Sequence, residues 1–514
     1  MQAPLTPLEF LARSARAYHD CTAVVDHHER VTYAEMQARV HAFSAALQHA
    51  GIAPKDRVAV LARNGVLPLE AHFAVPLIGA VLVPLNIRLQ CGELIPIVNH
   101  SGAKILLGDP DLVAPLQAAR EKTPQVERFV CDYSAFLCEG GKPLMPHVAA
   151  EDDVISINYT SGTTGVPKGV MYTHRGAFLN AIGEIIEHGL SYRSVYLWTL
   201  PMFHCNGWCY PWAVTAAGAR HVCLPEVNAE KAIKLIEEEG VTHLCGAPIV
   251  VRTLTEYCTQ HKIRFDTGLK MMVAAAPPPP AIIRAAEAIG IELTHVYGLT
   301  ETYGPHSVCA WHTGWDILPE DKRAQLKARQ GVPYTVFGTD MRVVDENMHD
   351  VPADGATVGE VVMRGNNVML GYYNDPEGTE KAFAGGWFHS GDLAVMHPDG
   401  YVELRDRSKD IIISGGENIS SIEVERVLYD HPDVLEAAVV GEHDDKWGEV
   451  PHAYVLLRDG AVVSEQALIE FCRDQLSHFK CPKAIHFGPL PKTSTGKIRK
   501  AVLRQQAQAV GKGA

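Results

Sequence analysis

Residues 160–169 read Thr-Ser-Gly-Thr-Thr-Gly-Val-Pro-Lys-Gly, and the run before them, Asp153-Val-Ile-Ser-Ile-Asn-Tyr159, alternates apolar and polar residues as a strand does. A strand that runs into hydroxyls, glycines and a lysine has the makings of a polyphosphate cradle. Glycines let backbone N–H groups approach an anion, hydroxyls donate to its oxygens, and Lys168 neutralises charge. The loop is not a Walker A motif, which sets its lysine directly after a glycine and before Ser or Thr. Here Val166 and Pro167 separate Gly165 from Lys168.

The sequence around this loop alternates strand and helix patterns. Asn228 to Gly240 carries a capping residue, an apolar face of helical period and a terminal glycine. Strands are expected at Val241–Cys245, Leu269–Ala276 and Ile291–Tyr297, with helices opening at Pro248 and covering Ile282–Ile289 beyond four prolines. Arg57–Leu61 and Lys104–Leu107 repeat the rhythm in the first 150 residues. Alternating β and α units imply an α/β fold with mainly parallel sheets covered by helices. After about residue 330 strands dominate, at Gly338–Val344 and Gly359–Arg364. A second, α+β unit is expected from Ser408, with strands Ile411–Ser414, Leu435–Val440 and His452–Leu457 and helices from Ser421 and over Ser464–Leu476. The expected domains are residues 1–407 and a small mobile unit, 408–514.

The chain has 514 residues, which exceeds one ordinary core, and a composition of 47% hydrophobic and 21% charged residues that is ordinary for a globular protein. A formal charge of -14 argues against nucleic-acid or anionic-membrane binding. The longest apolar run, Phe73–Leu85, is too short to span a bilayer and holds two prolines. The start, Met1-Gln-Ala-Pro-Leu-Thr-Pro7, lacks the regions of a signal peptide, the end, Gly511-Lys-Gly-Ala514, is no Ser-Lys-Leu address, and the 12 cysteines are scattered. A cytoplasmic protein with reduced thiols is expected. Cys205 and Cys209 lie four apart, but Gly207 weakens a helix there and no second pair follows, so they read as buried small hydrophobes rather than zinc ligands.

Further segments carry chemistry. Tyr297-Gly-Leu-Thr-Glu-Thr302 ends a strand where parallel sheets gather ligands; Glu301 suits Mg²⁺ on a nucleotide, and Tyr297 suits the flank of a base. Gly386-Trp-Phe-His-Ser-Gly-Asp392 places a carboxylate after a turn, where it can accept from ribose hydroxyls at roughly 1.5–3 kcal/mol per charged hydrogen bond. Leu404-Arg-Asp-Arg-Ser-Lys-Asp410 adds Arg407 as a second ribose or phosphate contact. Ala274-Ala-Ala-Pro277 ends a strand with small side chains against which a flat base can lie, and Pro491-Lys-Thr-Ser-Thr-Gly-Lys-Ile-Arg-Lys500 is a basic stretch near the C-terminus.

Together these segments, in this order over residues 160–500, resemble the signatures of the adenylate-forming superfamily of acyl-CoA synthetases, luciferases and peptide-synthetase adenylation domains. Thr32-Tyr-Ala-Glu35 and Pro84-Leu-Asn-Ile-Arg88 extend the resemblance toward the N-terminus. The resemblance implies ATP, Mg²⁺ and coenzyme A as cosubstrates and cofactor. It places ATP or AMP on Thr160, Ser161, Gly162, Thr163, Thr164, Gly165, Lys168, Ala275, Ala276, Pro277, Tyr297, Gly298, Leu299, Thr300, Thr302, Asp392 and Arg407, and the metal on Glu301 and Thr164. Lys497 is implied as the catalytic lysine, with Glu301 and His204 beside it, and Lys409 as a hinge.

Pro201-Met-Phe-His-Cys-Asn-Gly-Trp208 bears on the acid. Amino-acid-activating relatives carry an Asp in this segment, whereas residues 200–212 contain no Asp or Glu. His204 matches an aromatic gate, and Trp208 and Gly304 are the implied walls of an acyl pocket that favours a short, medium-chain or aromatic acid. The spelling resembles the subgroup of methylmercaptopropionate, short- and medium-chain and plant benzoate-CoA ligases. Ser414, Gly415, Gly416, Trp447 and Lys480 are the implied coenzyme A contacts. The expected reaction is formation of an acyl-AMP from an acid and ATP, then transfer to CoA; a carrier-protein acceptor and a luciferase-like oxygenase stay open. Among partners, small molecules are expected, without nucleic acid or membrane insertion, and a homodimer is compatible.

Overall fold

The computed structural model describes the chain except residues 1–2, 28, 140–146, 148–149, 161–166, 267, 275–277, 339, 408, 415–416, 445, 494–496 and 512–514, with backbone alone at 337, 418 and 507–511. Local sequence accounts for many element ends. Asn228 accepts a hydrogen bond from the Lys231 N–H, and Gly240 closes the helix Ala229–Glu239 in the left-handed conformation. Thr32-Tyr-Ala-Glu35 is a reciprocal capping box: the Thr32 hydroxyl accepts from the Glu35 N–H at 3.2 Å and the Glu35 carboxylate accepts from the Thr32 N–H at 2.8 Å. The four prolines shift the next helix forward to Pro280–Ala288, because proline at a helix start sacrifices no hydrogen bond. The apolar run Phe73–Leu85 divides into the end of the helix Val66–Leu77 and the strand Val81–Pro84. Among the described residues, no helix is long and apolar enough to cross a membrane.

Among the described residues the strands form four sheets. In the nine-stranded sheet, Thr22–Asp26, Arg220–Cys223, Val195–Trp198, His243–Gly246, Leu269–Val273 and Ile291–Leu299 run parallel, flanked by antiparallel edges. In the seven-stranded sheet, Val154–Thr160, Val81–Pro84, Arg57–Leu61, Ala103–Gly108 and Arg128–Val130 are parallel, and Lys168–Thr173 and Gly371–Tyr372 are antiparallel additions. One apolar core joins these sheets, running from Val58, Val60 and Leu82 to Tyr196, Trp198 and Val296. The strand-rich region after residue 330 is a four-stranded antiparallel sheet, Asp340–Val344, Val358–Arg364, Phe388–Met396 and Val402–Arg407.

A smaller C-terminal domain follows the large N-terminal one. Its sheet takes Ile412–Ser414, Glu417–Ile419, Val434–Asp444, Gly448–Leu457 and Ala484–Phe487. Two of its strands are longer than the sequence pattern indicated, because they continue past the buried alternation into a hairpin whose outer end carries little apolar residue signal. The helices Ser421–Tyr429 and Glu465–Arg473 cover one face, over Ile412, Val439 and Val455, and the second helix contributes Cys472 to that core. The C-terminal helix Lys500–Gly511 contributes Leu503 to the other face, with Ala438, Val440 and Leu490.

Candidate active site

Parallel strands deliver the site segments at their C-terminal ends. Pro84 leads to Arg88, Trp198 to His204, Val273 to residues 275–277, and Leu299 to Thr300 and Glu301. The loop quoted first joins two antiparallel strands rather than a strand and a helix, with Thr160 directly opposite Lys168. Ser161, Gly162, Thr163, Thr164 and Gly165 lie outside the described residues, as do Ala275, Ala276, Pro277, Gly415 and Gly416.

Around the expected ribose position, Asp392 pairs across the sheet with Arg407, whose Nε stands 3.2 Å from Asp392 Oδ1. The Tyr297 hydroxyl donates to Asp392 Oδ2 at 2.7 Å. Both Asp392 and Tyr297 are buried, and burial pushes the phenol pKa well above its ordinary value, keeping it a donor. Lys497 reaches this group from the small domain. Burial, then the neighbouring Arg407, lowers its pKa to about 8, while Asp392 and Asp410 oppose the shift. Burial, then Arg88 and Lys497, pushes His204 down to about 4, so it is a neutral imidazole at neutral pH.

Glu301 is held by the Tyr372 hydroxyl, which donates to Oε1 at 2.9 Å. Burial raises its pKa, the reverse of what an exposed carboxylate shows. Lys168 stands over the Tyr372 ring at 4.3 Å and 3.3 Å from Asp375, so ammonium, ring and carboxylate lie together. A buried carboxylate with a raised pKa at a crevice suits a divalent cation, whose charge would offset that desolvation.

The turn that presents Thr300 and Glu301 depends on two glycines. A Cβ on Gly298 would lie 1.9 Å from the Gly304 carbonyl oxygen, and Gly304 has φ 100. Thr302's buried hydroxyl accepts from the Leu299 N–H and donates to the Gly304 carbonyl, each at 2.8 Å. These bonds brace the turn from inside.

The acyl segment is unusual backbone. Cys205, Asn206, Gly207, Trp208 and Cys209 all have φ between 42 and 64, a left-handed turn where a right-handed helix would leave the side chains elsewhere. Asn158 holds it, accepting from the Asn206 N–H at 3.0 Å and donating to the Asn206 side-chain carbonyl. The turn sets Trp208 against Gly304, whose added Cβ would meet the Trp208 Cα at 3.1 Å. Cys205 and Cys209 are buried and free.

Three residues in this site escaped the sequence reading as functional groups. Asn64 donates to the Trp198 and Leu200 carbonyls at 2.9 and 3.0 Å and accepts from the Met202 N–H at 2.8 Å, tying one sheet to the segment before His204. Arg88 lies beside His204, and Tyr372 beside Glu301. Only Arg88 sat in a quoted motif.

Lys409, the expected hinge, lies in a tight turn, where the Asp410 N–H donates to the Arg407 carbonyl at 2.8 Å. Ser414 pairs with Gly448, next to Trp447, which is exposed at the hairpin end. Lys480 is paired with Glu423 at 2.8 Å.

The fold defines a two-domain α/β protein whose large domain gathers Tyr297, Asp392 and Arg407 and whose small domain brings Lys497 beside them. The chain belongs to the AMP-binding enzyme family, whose pattern matches residues 11–373, with the AMP-binding enzyme C-terminal domain at residues 423–497. It is 46% identical to the 4-hydroxybutyrate–CoA ligase 2 of Metallosphaera sedula, over 98% of this chain and 95% of that protein. It is 44% identical to a 2-methylpropanoate–CoA ligase of Humulus lupulus, over 99% of this chain and 96% of the relative. Among solved structures, ATP-bound MatB from Rhodopseudomonas palustris superposes with a TM-score of 0.86 at 26% identity, covering 98% of this chain and 99% of MatB. The chain is an AMP-forming acyl-CoA synthetase, an ATP-dependent acid–thiol ligase.

Proposed function

We propose that this ligase activates a short-chain carboxylic acid of about the size of butyrate, using the residues assembled above. The observation that carries the assignment of roles is the meeting of Lys497 with Asp392, Arg407 and His204 in one cluster. Asp392 and Tyr297 hold the ribose, Arg407 adds a contact, and the loop from Thr160 to Lys168 cradles the β- and γ-phosphates. The carboxylate oxygen attacks the α-phosphorus, the bond to the pyrophosphate oxygen breaks, and acyl-AMP forms. The Lys497 ammonium neutralises charge gathering on the α-phosphate and carboxylate. Mg²⁺ held by Glu301 and Thr164 would supply further neutralisation of the phosphate oxygens. The CoA sulfur then attacks the acyl carbonyl, and AMP leaves.

The second step belongs to another orientation of the small domain, whose boundary we set at residues 407 and 408. Rotation at Lys409 withdraws Lys497 and brings in Ser414, Gly415 and Gly416. Trp447, and Lys480 once released from Glu423, would then meet CoA. Short acids are supported by Trp208 seated on Gly304 and by relatives named for 4-hydroxybutyrate, 2-methylpropanoate and acetate or butyrate. A cytoplasmic setting agrees with all 12 cysteines being free.

Pyrophosphate release measured from acetate to palmitate, and with benzoate, tests this reading with and without CoA. Maximal kcat/KM near butyrate, with acyl-CoA formed, is expected; a maximum at palmitate or benzoate would overturn the substrate assignment. Trp208→Ala is expected to move the optimum toward hexanoate and octanoate, and an unmoved optimum would remove Trp208 from the pocket.

A further inference from the structure

The small domain carries a second constellation outside the adenylation chemistry. Glu442, His452 and His486 come from three adjacent strands, and register puts them on one face: Glu442 pairs opposite Val450, His452 opposite Val440, and His486 opposite Tyr454. Their ligand atoms converge. His452 Nδ1 lies 3.0 Å from Glu442 Oε2 and 3.2 Å from His486 Nε2, and His486 Nε2 lies 3.7 Å from Glu442 Oε1.

The 3.0 and 3.2 Å separations at His452 Nδ1 lie close to the edge of a tetrahedron, roughly 3.3 Å when metal–ligand bonds are about 2.0–2.1 Å long, while the 3.7 Å separation runs to the other carboxylate oxygen, and one ligand atom from each residue lies within 4.8 Å of the other two. The Tyr454 hydroxyl donates to Glu442 Oε1 at 2.9 Å, an outer contact of the kind that orients a ligating carboxylate. His452 and Glu442 are largely covered, while His486 is 43% exposed and leaves a way in from solvent.

We propose that Glu442, His452 and His486 form a binding site for Zn²⁺ or a similar divalent transition metal, with its fourth position open to solvent. Two imidazoles and one carboxylate are a borderline donor set, which suits Zn²⁺ and Co²⁺ better than Mg²⁺. The metal would clamp three strands whose same face packs Tyr454 with Ile498, the residue after Lys497.

The test uses the full chain, stripped with a chelator and titrated with ZnCl₂ by calorimetry and with Co²⁺ by visible absorption. One equivalent with the intense d–d bands of tetrahedral Co²⁺ is expected. His486→Ala should weaken binding by more than about tenfold, and Tyr454→Phe, which keeps all three ligands, by about tenfold. Acyl-CoA formation by His486→Ala without added zinc should match the parent, showing that the variant is folded. Equal Zn²⁺ affinity in His486→Ala and the parent, a thiolate-to-cobalt band, or no binding by the parent would overturn the proposal.

Discussion

Lys497 illustrates how one side chain acquires a task from its surroundings. Its ammonium is buried beside Arg407, so its pKa falls to about 8 and the charge is lost as pH rises through that value. The kcat/KM for adenylation should therefore decline above about pH 8, and Lys497→Arg should carry the remaining activity to higher pH. An unchanged profile in Lys497→Arg would assign the titration elsewhere. In Lys497→Ala, adenylation should drop on the order of 10²–10³-fold, while a supplied acyl-adenylate is still consumed by CoA. Equal loss of both half-reactions would contradict a role confined to the first. His204 is neutral beside this lysine, which leaves the ring free to pack against a carboxylate without competing for it as a cation.

At the scale of elements, two backbone devices hold the site. The left-handed turn at Cys205–Cys209 places several non-glycine residues in a costly conformation, which Asn158 offsets by bonding both the backbone and the side chain of Asn206. Asn206→Ala should destabilise the protein by about 1–3 kcal/mol by leaving Asn158 buried with an unmet donor. Denaturant unfolding measures this, and a change near zero would mean that the turn is held by packing alone. In the neighbouring turn, Gly298→Ala would drive a methyl into the Gly304 carbonyl. It should abolish adenylation in protein that still folds, since the displaced turn carries Glu301; retained activity would show that the turn can yield. The motif of Tyr297 to Thr302 was legible as a ligand-binding strand end, yet its internal use of Thr302 was not. Which hydroxyl faces the crevice depends on the turn geometry, not on residue type.

For the whole molecule, the placement of Lys497 requires the small domain to be docked. Arg252 of the large domain pairs with Glu436 of the small one at 3.0 Å and donates to the Leu435 carbonyl at 3.2 Å, while Lys492 also reaches Glu436 at 2.7 Å. Arg252→Ala leaves Glu436 paired with Lys492, so stability should change little. Adenylation should fall severalfold relative to the CoA step, because the orientation that inserts Lys497 loses its contacts. Pyrophosphate exchange compared with thioester formation from supplied acyl-adenylate measures the ratio, and an unchanged ratio would show that these contacts do not set the orientation.

The order of motifs, the alternation of strands and helices and the lysine near the C-terminus are local in sequence, and by themselves they determined the fold class and the reaction. Glycine spacing, caps and apolar period act over a few residues, so they can be read without knowing what lies across the sheet. Only the tertiary structure decided that Asn64 braces the segment before His204, that Arg88 and Tyr372 join the site, and that two histidines and a glutamate converge on the small domain's sheet. Asn64 and Met202 are separated by 138 positions and Glu301 and Tyr372 by 71, and nothing in a linear pattern encodes such pairs. Strand order and register bring them together, because they set which side chains share a face and which strand ends meet at the crevice.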